Sequence, residues 1–221
     1  NIPQMNTAKL IHDTILFVKQ TLADAEGGHD WFHIERVYKN ALLIAKSESC
    51  DTLVVQLGAL LHDIADSKFH GGDETIGPRT ARNFLESQHV AEEVIVHVVQ
   101  IIENISFKGG KTKRKFSSIE LDIVQDADRL DAIGAIGIAR AFNYGGFKNR
   151  ALYNPEFAPN LKMTKEEYKN SQAPTINHFY EKLLLLADKM NTKTGAAIAI
   201  KRHRYMENFL SQFYAEWEGE I

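Results

Sequence analysis

Leu53-Val54-Val55-Gln56-Leu57-Gly58-Ala59-Leu60-Leu61-His62-Asp63 is the stretch on which the fold turns. Its apolar residues (Leu53, Val54, Val55, Leu57, Ala59, Leu60, Leu61) spread around the whole circumference of a helix. A helix with no polar face leaves nothing for water and is buried. Asp51 and Thr52, just ahead, are side chains that cap helix starts. The run then ends on an imidazole and a carboxylate. A carboxylate at the end of a buried helix is costly unless it is paired or bound to a cation. It also meets the negative end of the helix dipole. A metal ion at His62-Asp63 would remove both costs.

Working outward toward the start, Ile11, Ile15, Val18 and Leu22 recur at steps of three and four, a helical stripe over about 7–25 closed by Gly27 and Gly28. His29 and Asp30 open a second helix with Ile34, Val37, Ala41, Ile44 and Ala45 on one face. Toward the end, a polar loop from Ser67 to Gly77 precedes helices at about 78–87, 90–104 and 118–132, then a small-residue helix at about 133–142. Between Asn143 and Thr175 the periodicity fades at Gly145, Gly146, Pro155, Pro159 and Pro174, and so long a loop is often functional. Helices at about 176–190 and 193–218 close the chain, the last carrying Phe209, Phe213 and Trp217 as core or interface residues. No strand series, internal repeat or low-complexity tract interrupts this pattern. The expectation is an all-α fold, one domain over 1–221 packed around the buried third helix, with a core at about 26–145, a loop or lid at about 143–175 and C-terminal helices at about 176–218.

Composition narrows the function classes. The chain has 221 residues, 44% apolar and 25% charged, which is enough to bury a core and argues against bulk disorder. A net charge of -3 gives no general pull toward nucleic acid or anionic membrane, so no stable nucleic-acid complex is expected. Cys50 is the single cysteine, which excludes an intrachain disulfide framework and fits a reducing compartment. No run of about 18 apolar residues and no signal-peptide pattern is present, so the expected location is cytoplasmic, away from the membrane. Exposed aromatics on the terminal helix would suit a homodimer.

A second oddity is Leu121-Asp122-Ile123-Val124-Gln125-Asp126-Ala127-Asp128-Arg129-Leu130-Asp131, where aspartates interrupt a core-like helix. Asp128 and Asp131 lie three apart and share a face with Val124, while Asp126 points elsewhere. One aspartate here can supply an inward oxygen ligand; the others can orient ligating histidines or pair with Arg129 and Arg36. His33, in the run His29-Asp30-Trp31-Phe32-His33, can supply a further nitrogen. Two imidazoles and two carboxylates leave room for water on a six-coordinate ion. That donor set suits Mn²⁺, Fe²⁺, Co²⁺, Ni²⁺ or Zn²⁺ rather than the all-oxygen preference of Ca²⁺ or Mg²⁺.

In this order, His33, His62-Asp63 and a distant Asp resemble the signature of the HD superfamily of metal-dependent phosphohydrolases, and Ala127-Asp128-Arg129-Leu130 resembles its terminal segment, which favours Asp128 over Asp126. The flanks His29-Asp30-Trp31, Gln125 through Ala135, and Arg202-His203 through Trp217 are similar to a branch of small, stand-alone bacterial HD proteins, so the likeness covers about 29–218. It implies an HD helical bundle around a metal-bearing helix, with one divalent ion, manganese favoured, on His33, His62, Asp63 and Asp128. It also implies hydrolysis of a small phosphorylated substrate, a nucleoside or deoxynucleoside triphosphate in this branch, by water activated on that ion. Asp63 is thereby a catalytic as well as a ligating residue. Asp66 stands one turn after Asp63, where some HD nucleotidases carry a water-positioning Glu; Asp is shorter by one methylene. Arg36 and Lys68 are candidates to neutralise phosphate charge, and Lys148 and Arg202 are further candidate substrate contacts. Phosphodiesterases of the superfamily with two metals insert extra histidines, but His70, His89 and His97 sit in no such motif, which leaves one metal. The basic run Lys108, Lys111, Lys113, Arg114 and Lys115 reads as a solvated loop, or as a steering surface for phosphate. The rival readings are a phosphodiesterase or phosphomonoesterase acting on another small phosphate, and a metal- and nucleotide-binding sensor without turnover.

Overall fold

Asp51 opens the central helix α3 (Thr52–Leu61) by accepting the amides of Leu53 and Val54 at 2.9 and 3.2 Å. These are donors that a helix start otherwise leaves unpaired. The Asp51 amide in turn donates to the buried Glu120 carboxylate at 2.8 Å, which ties the start of α3 to a distant part of the chain. In this computed structural model, which describes residues 6–25, 29–65, 73–105 and 116–221, Val54, Val55 and Leu57 through Leu61 of α3 are all buried. Fully burying one such Leu or Val side chain contributes about 1.5–3 kcal/mol, so α3 is the main apolar anchor of its unit.

The chain divides into two compact units, Asn1–Asp128 and Arg129–Ile221. In the first, α3 packs against α1 (Thr7–Thr21), α2 (Trp31–Ala45) and α5 (Glu92–Asn104), and α5 packs against α4 (Ile76–Ser87). The Phe17 and Phe84 rings stack at 4.1 Å between α1 and α4. The Ser118 hydroxyl accepts the Leu121 amide at 3.1 Å at the start of α6 (Ile119–Asp131). That helix buries Leu121, Ile123, Val124 and Ala127, and its buried Gln125 donates to the Ile105 carbonyl at 3.0 Å. The expected all-α class holds, with no strand among the described residues.

In the second unit, α7 (Gly134–Phe147), α9 (Thr175–Glu181) and α10 (Lys193–Trp217) meet around an aromatic core. The Phe142, Phe179 and Phe209 rings lie 5.8–6.0 Å apart, and Phe179 is fully buried. The entry to α7 depends on glycine twice. Gly134 has φ +76, a conformation that costs other residues strain. A Cβ on Gly137 would lie 2.3 Å from the Ala132 carbonyl oxygen, so the small-residue pattern here is a close backbone approach.

The weakly periodic stretch after Asn143 is more ordered than its sequence suggests. Helix α7 runs on to Phe147, because Gly145 lets the helix lie directly against Thr175, and the Lys148 and Arg150 amides donate to the carbonyls of Tyr144 and Gly145. A short helix α8 (Lys165–Asn170) follows; its capping box, Thr164 with Glu167, is a readable signal that periodicity misses. The helix expected over about 176–190 stops at Glu181. Lys182 leaves helical geometry at φ -144, and 3₁₀ turns at Leu183–Leu185 and Ala187–Lys189 take over. Three residues per turn align Leu183 and Leu186, both buried, and turn Leu185 outward. No helix among the described residues is long and apolar enough to cross a membrane.

Candidate metal centre

Helix caps set the site. Asp30 caps α2 by accepting the His33 amide at 3.0 Å, which places His33 in the first turn with its side chain buried. His62 follows directly after the last residue of α3 and is also buried. Asp128 stands near the end of α6 and is partly exposed. The three side chains converge: His33 Nε2 lies 3.5 Å and His62 Nε2 3.8 Å from Asp128 Oδ1, and the two imidazoles meet edge to face at 5.3 Å. Among the described residues, this is the group of histidine, cysteine and carboxylate side chains whose donor atoms lie within 4.8 Å of one another.

The electrostatics of His62 test whether a cation fits. Its Nδ1 lies 2.8 Å from the Ala59 carbonyl oxygen. A carbonyl only accepts, so Nδ1 carries the proton and Nε2 presents a lone pair. That Nε2 is buried and has no hydrogen-bond partner among the described residues. A buried acceptor left unmade costs about 1–3 kcal/mol, and a cation between His62, His33 and Asp128 would satisfy it. A backbone carbonyl holding the far nitrogen of an imidazole is also the usual way in which ligating histidines are oriented. The donor set therefore fits a divalent ion.

Asp63 is held separately. Its Oδ2 lies 2.5 Å from His29 Nδ1. Burial would raise the Asp63 carboxyl, but the His29 bond and the neighbouring His62, His29 and His33 imidazoles outweigh it and hold the group below its ordinary range, as an anion. The His29–Asp63 pairing was not anticipated; its sequence signal is the His29-Asp30-Trp31 run just ahead of His33. The His29 and His33 rings are 6.2 Å apart.

The remaining candidates fall in different places. Arg36 is half-buried on α2, one turn beyond His33. Asp66, Lys68 and His70, with the basic run at 108–115, lie outside the described residues. His97 is engaged by the Ser118 hydroxyl at 2.9 Å and by Glu120 at 3.4 Å. His89 follows the C-cap of α4 in a left-handed conformation, φ 56. Asp126 is fully buried, and Asp131, buried in the second unit, pairs with Arg140. Lys148 and Arg202 also belong to the second unit. There Lys148 lies over the Tyr144 and Phe147 rings, and Arg202 donates to the Leu130 carbonyl.

Comparison with known proteins gives the family of the chain. The family model described as the HD domain matches residues 31–133, a span that contains His33, His62, Asp63 and Asp128. The chain is 43% identical to an HD-superfamily hydrolase from Bacillus thuringiensis, whose crystal structure superposes with a TM-score of 0.79 over 96% of this chain and 99% of that one. It is 37% identical to YpgQ of Bacillus subtilis over 92% of this chain and 91% of the relative. YpgQ has also been crystallised in complex with ADP; that structure gives a TM-score of 0.76 and 34% identity over 96% of this chain and 97% of the other.

Proposed function

The chain belongs to the HD superfamily of hydrolases, and from that footing we propose that it hydrolyses a phosphate bond of a nucleotide, a nucleoside or deoxynucleoside triphosphate, with one divalent ion held by His33, His62, Asp63 and Asp128. The observation that carries the reading is the buried Nε2 of His62, without a hydrogen-bond partner among the described residues and facing Asp128 and His33. The ADP complex of YpgQ supports a nucleotide as ligand. Mixed imidazole and carboxylate donors suit Mn²⁺, Fe²⁺, Co²⁺, Ni²⁺ or Zn²⁺, and among these manganese is favoured on the family resemblance.

Such an ion, when bound, acidifies water and polarises a phosphoryl oxygen. The chain supplies the rest. The Ala59 carbonyl accepts the Nδ1–H of His62, which leaves Nε2 as the ring nitrogen turned toward Asp128. His29 keeps Asp63 anionic and oriented. The Asp30 cap fixes the turn of α2 that bears His33 and starts the turn that bears Arg36, which would offset phosphate charge. Asp66 would orient the attacking water, and Lys68 would add a second positive charge.

Metal-stripped protein is incubated with each nucleoside and deoxynucleoside triphosphate, with and without Mn²⁺, and the products are resolved by ion exchange. Monophosphate plus pyrophosphate, dependent on Mn²⁺ and lost in Asp63→Ala, is the expected result. No product from any triphosphate, in a protein shown to bind Mn²⁺, overturns the substrate and leaves the metal centre standing.

A further inference from the structure

Helix α6 is one continuous helix (Ile119–Asp131), and Asp128 stands on its last turn. Guanidinium groups close on the residues directly after it. Arg202 Nη1 donates to the Leu130 carbonyl at 2.5 Å. Arg140 Nη1 donates to both the carboxylate and the carbonyl of Asp131, at 2.6 and 3.1 Å. Arg129 donates to the Lys189 carbonyl. The Leu130 and Asp131 carbonyls belong to the last turn of a helix, beyond the reach of its i to i+4 bonds, and the Leu130 carbonyl meets only a long backbone bond, from the Ile133 amide at 3.4 Å. Cations there satisfy the carbonyls and oppose the negative end of the dipole.

Asp131 is only 1% exposed. A buried carboxylate without its cation is strongly unfavourable, so the Asp131–Arg140 pair fixes the helix end rather than decorating it. The stem of Arg202 runs against Gly134, where a Cβ would lie 3.0 Å from Arg202 Cβ and Cγ. Glycine at 134 therefore both allows the chain reversal and leaves the arginine its path. None of Asp131, Arg140 or the Leu130 carbonyl takes part in the chemistry proposed above.

We propose that Arg140 and Arg202 are positioning residues for the metal centre: by clamping Asp131 and the Leu130 carbonyl they lock the last turn of α6, and so fix the Asp128 carboxylate before an ion arrives. This rests on the reading of Asp128 as a ligand. Helix ends fray, and a ligand on a fraying turn must be ordered when the ion binds. A ligand already held binds more tightly for the same contacts.

The test is a Mn²⁺ titration of the metal-stripped full chain, read by the electron paramagnetic resonance signal of free Mn²⁺, beside apo-protein thermal unfolding. Wild type is compared with Arg140→Gln, Arg140→Lys, Arg202→Gln, Asp131→Asn and the Asp131→Asn/Arg140→Gln double variant. Arg140→Gln is expected to weaken Mn²⁺ binding about 10-fold, the lower end for partners that orient ligands. Arg140→Lys should recover part of that loss, and the double variant should bind no worse than Arg140→Gln, because both changes break one pair. Should Arg140→Gln not fold, Arg202→Gln, which leaves the buried pair intact, decides by the same comparison. Lower thermal stability with wild-type Mn²⁺ affinity in these variants overturns the positioning role alone. No Mn²⁺ binding by wild type overturns the metal reading and this one with it.

Discussion

The Nδ1 proton of His62 is committed to the carbonyl of Ala59, three residues back and 2.8 Å away, and this bond decides which ring nitrogen faces the site. An amide at position 62 could reach the same carbonyl but would not offer an imidazole donor toward Asp128. The consequence is measurable as ligand-linked stability.

At a Mn²⁺ concentration about 100 times its Kd, the ion should stabilise the wild-type protein by about 2.7 kcal/mol. His62→Gln should lose most of this gain while unfolding near the wild-type temperature without metal, since it leaves no buried imidazole lone pair to satisfy. Differential scanning fluorimetry with and without Mn²⁺ reads both. An equal metal-induced rise in the two proteins would remove His62 from the ligand set.

His29 acts one step further out. It holds the Asp63 carboxylate at 2.5 Å and is half-buried. Partners of this kind typically carry 10–100-fold in metal affinity. His29→Ala is therefore expected to weaken Mn²⁺ binding about 10-fold in the same resonance titration, and also to lower apo stability, since it takes the His29 bond from the Asp63 carboxylate. Wild-type affinity in His29→Ala would show that Asp63 is oriented without it.

The sequence made some of this visible, and the reasons are specific. Helix α3 was legible because seven apolar side chains on all its sides leave only one place for it, and Asp51 is a strong cap. His62 and Asp63 stood out because they are polar residues at the end of that run. His33 and Asp128 could be selected only through the order of the HD signature; local periodicity puts Asp126 and Asp128 on different faces without saying which face meets the histidines, and it is Asp128 that does, while Asp126 is fully buried. The clamp on α6 was not legible at all. Arg140 and Arg202 are far from each other in sequence; Arg202 reads there as a candidate substrate contact, and nothing in the sequence singles out Arg140. The extension of α7 past Asn143 was hidden because Gly145 looks like a breaker, whereas its missing side chain makes room for Thr175.

Gly137 should be the most sensitive small residue of the second unit. Its Cβ position lies 2.3 Å from the Ala132 carbonyl oxygen, a backbone atom that cannot swing aside. Gly137→Ala should destabilise the protein by about 2–3 kcal/mol, in the range of overpacked sites, even though alanine is the better helix former. Urea unfolding checks it. Gly146→Ala is the control, since nothing lies within 4 Å of its Cβ position; that change should be neutral or slightly stabilising.

Acid should weaken the second unit through His178. This imidazole accepts the Tyr168 hydroxyl at 2.5 Å on Nδ1 and is held neutral, its pKa pushed down to about 3 by burial first and then by the Lys182 and Arg150 charges. In the unfolded chain it returns to about 6.5. Below that pH the unfolded state binds a proton that the folded state refuses, so the stability present above pH 6.5 is lost as the pH falls from 6.5 toward 3. The loss runs at up to about 1.4 kcal/mol per pH unit, roughly 2–3 kcal/mol by pH 4.5. His178→Gln keeps an acceptor for Tyr168 and has nothing to titrate. Urea midpoints at pH 7, 6, 5 and 4.5 should show wild type ahead of the variant at neutral pH, with the gap closing in acid and then reversing. A gap that stays constant across this range would mean that His178 takes up its proton in the folded protein as readily as in the unfolded one.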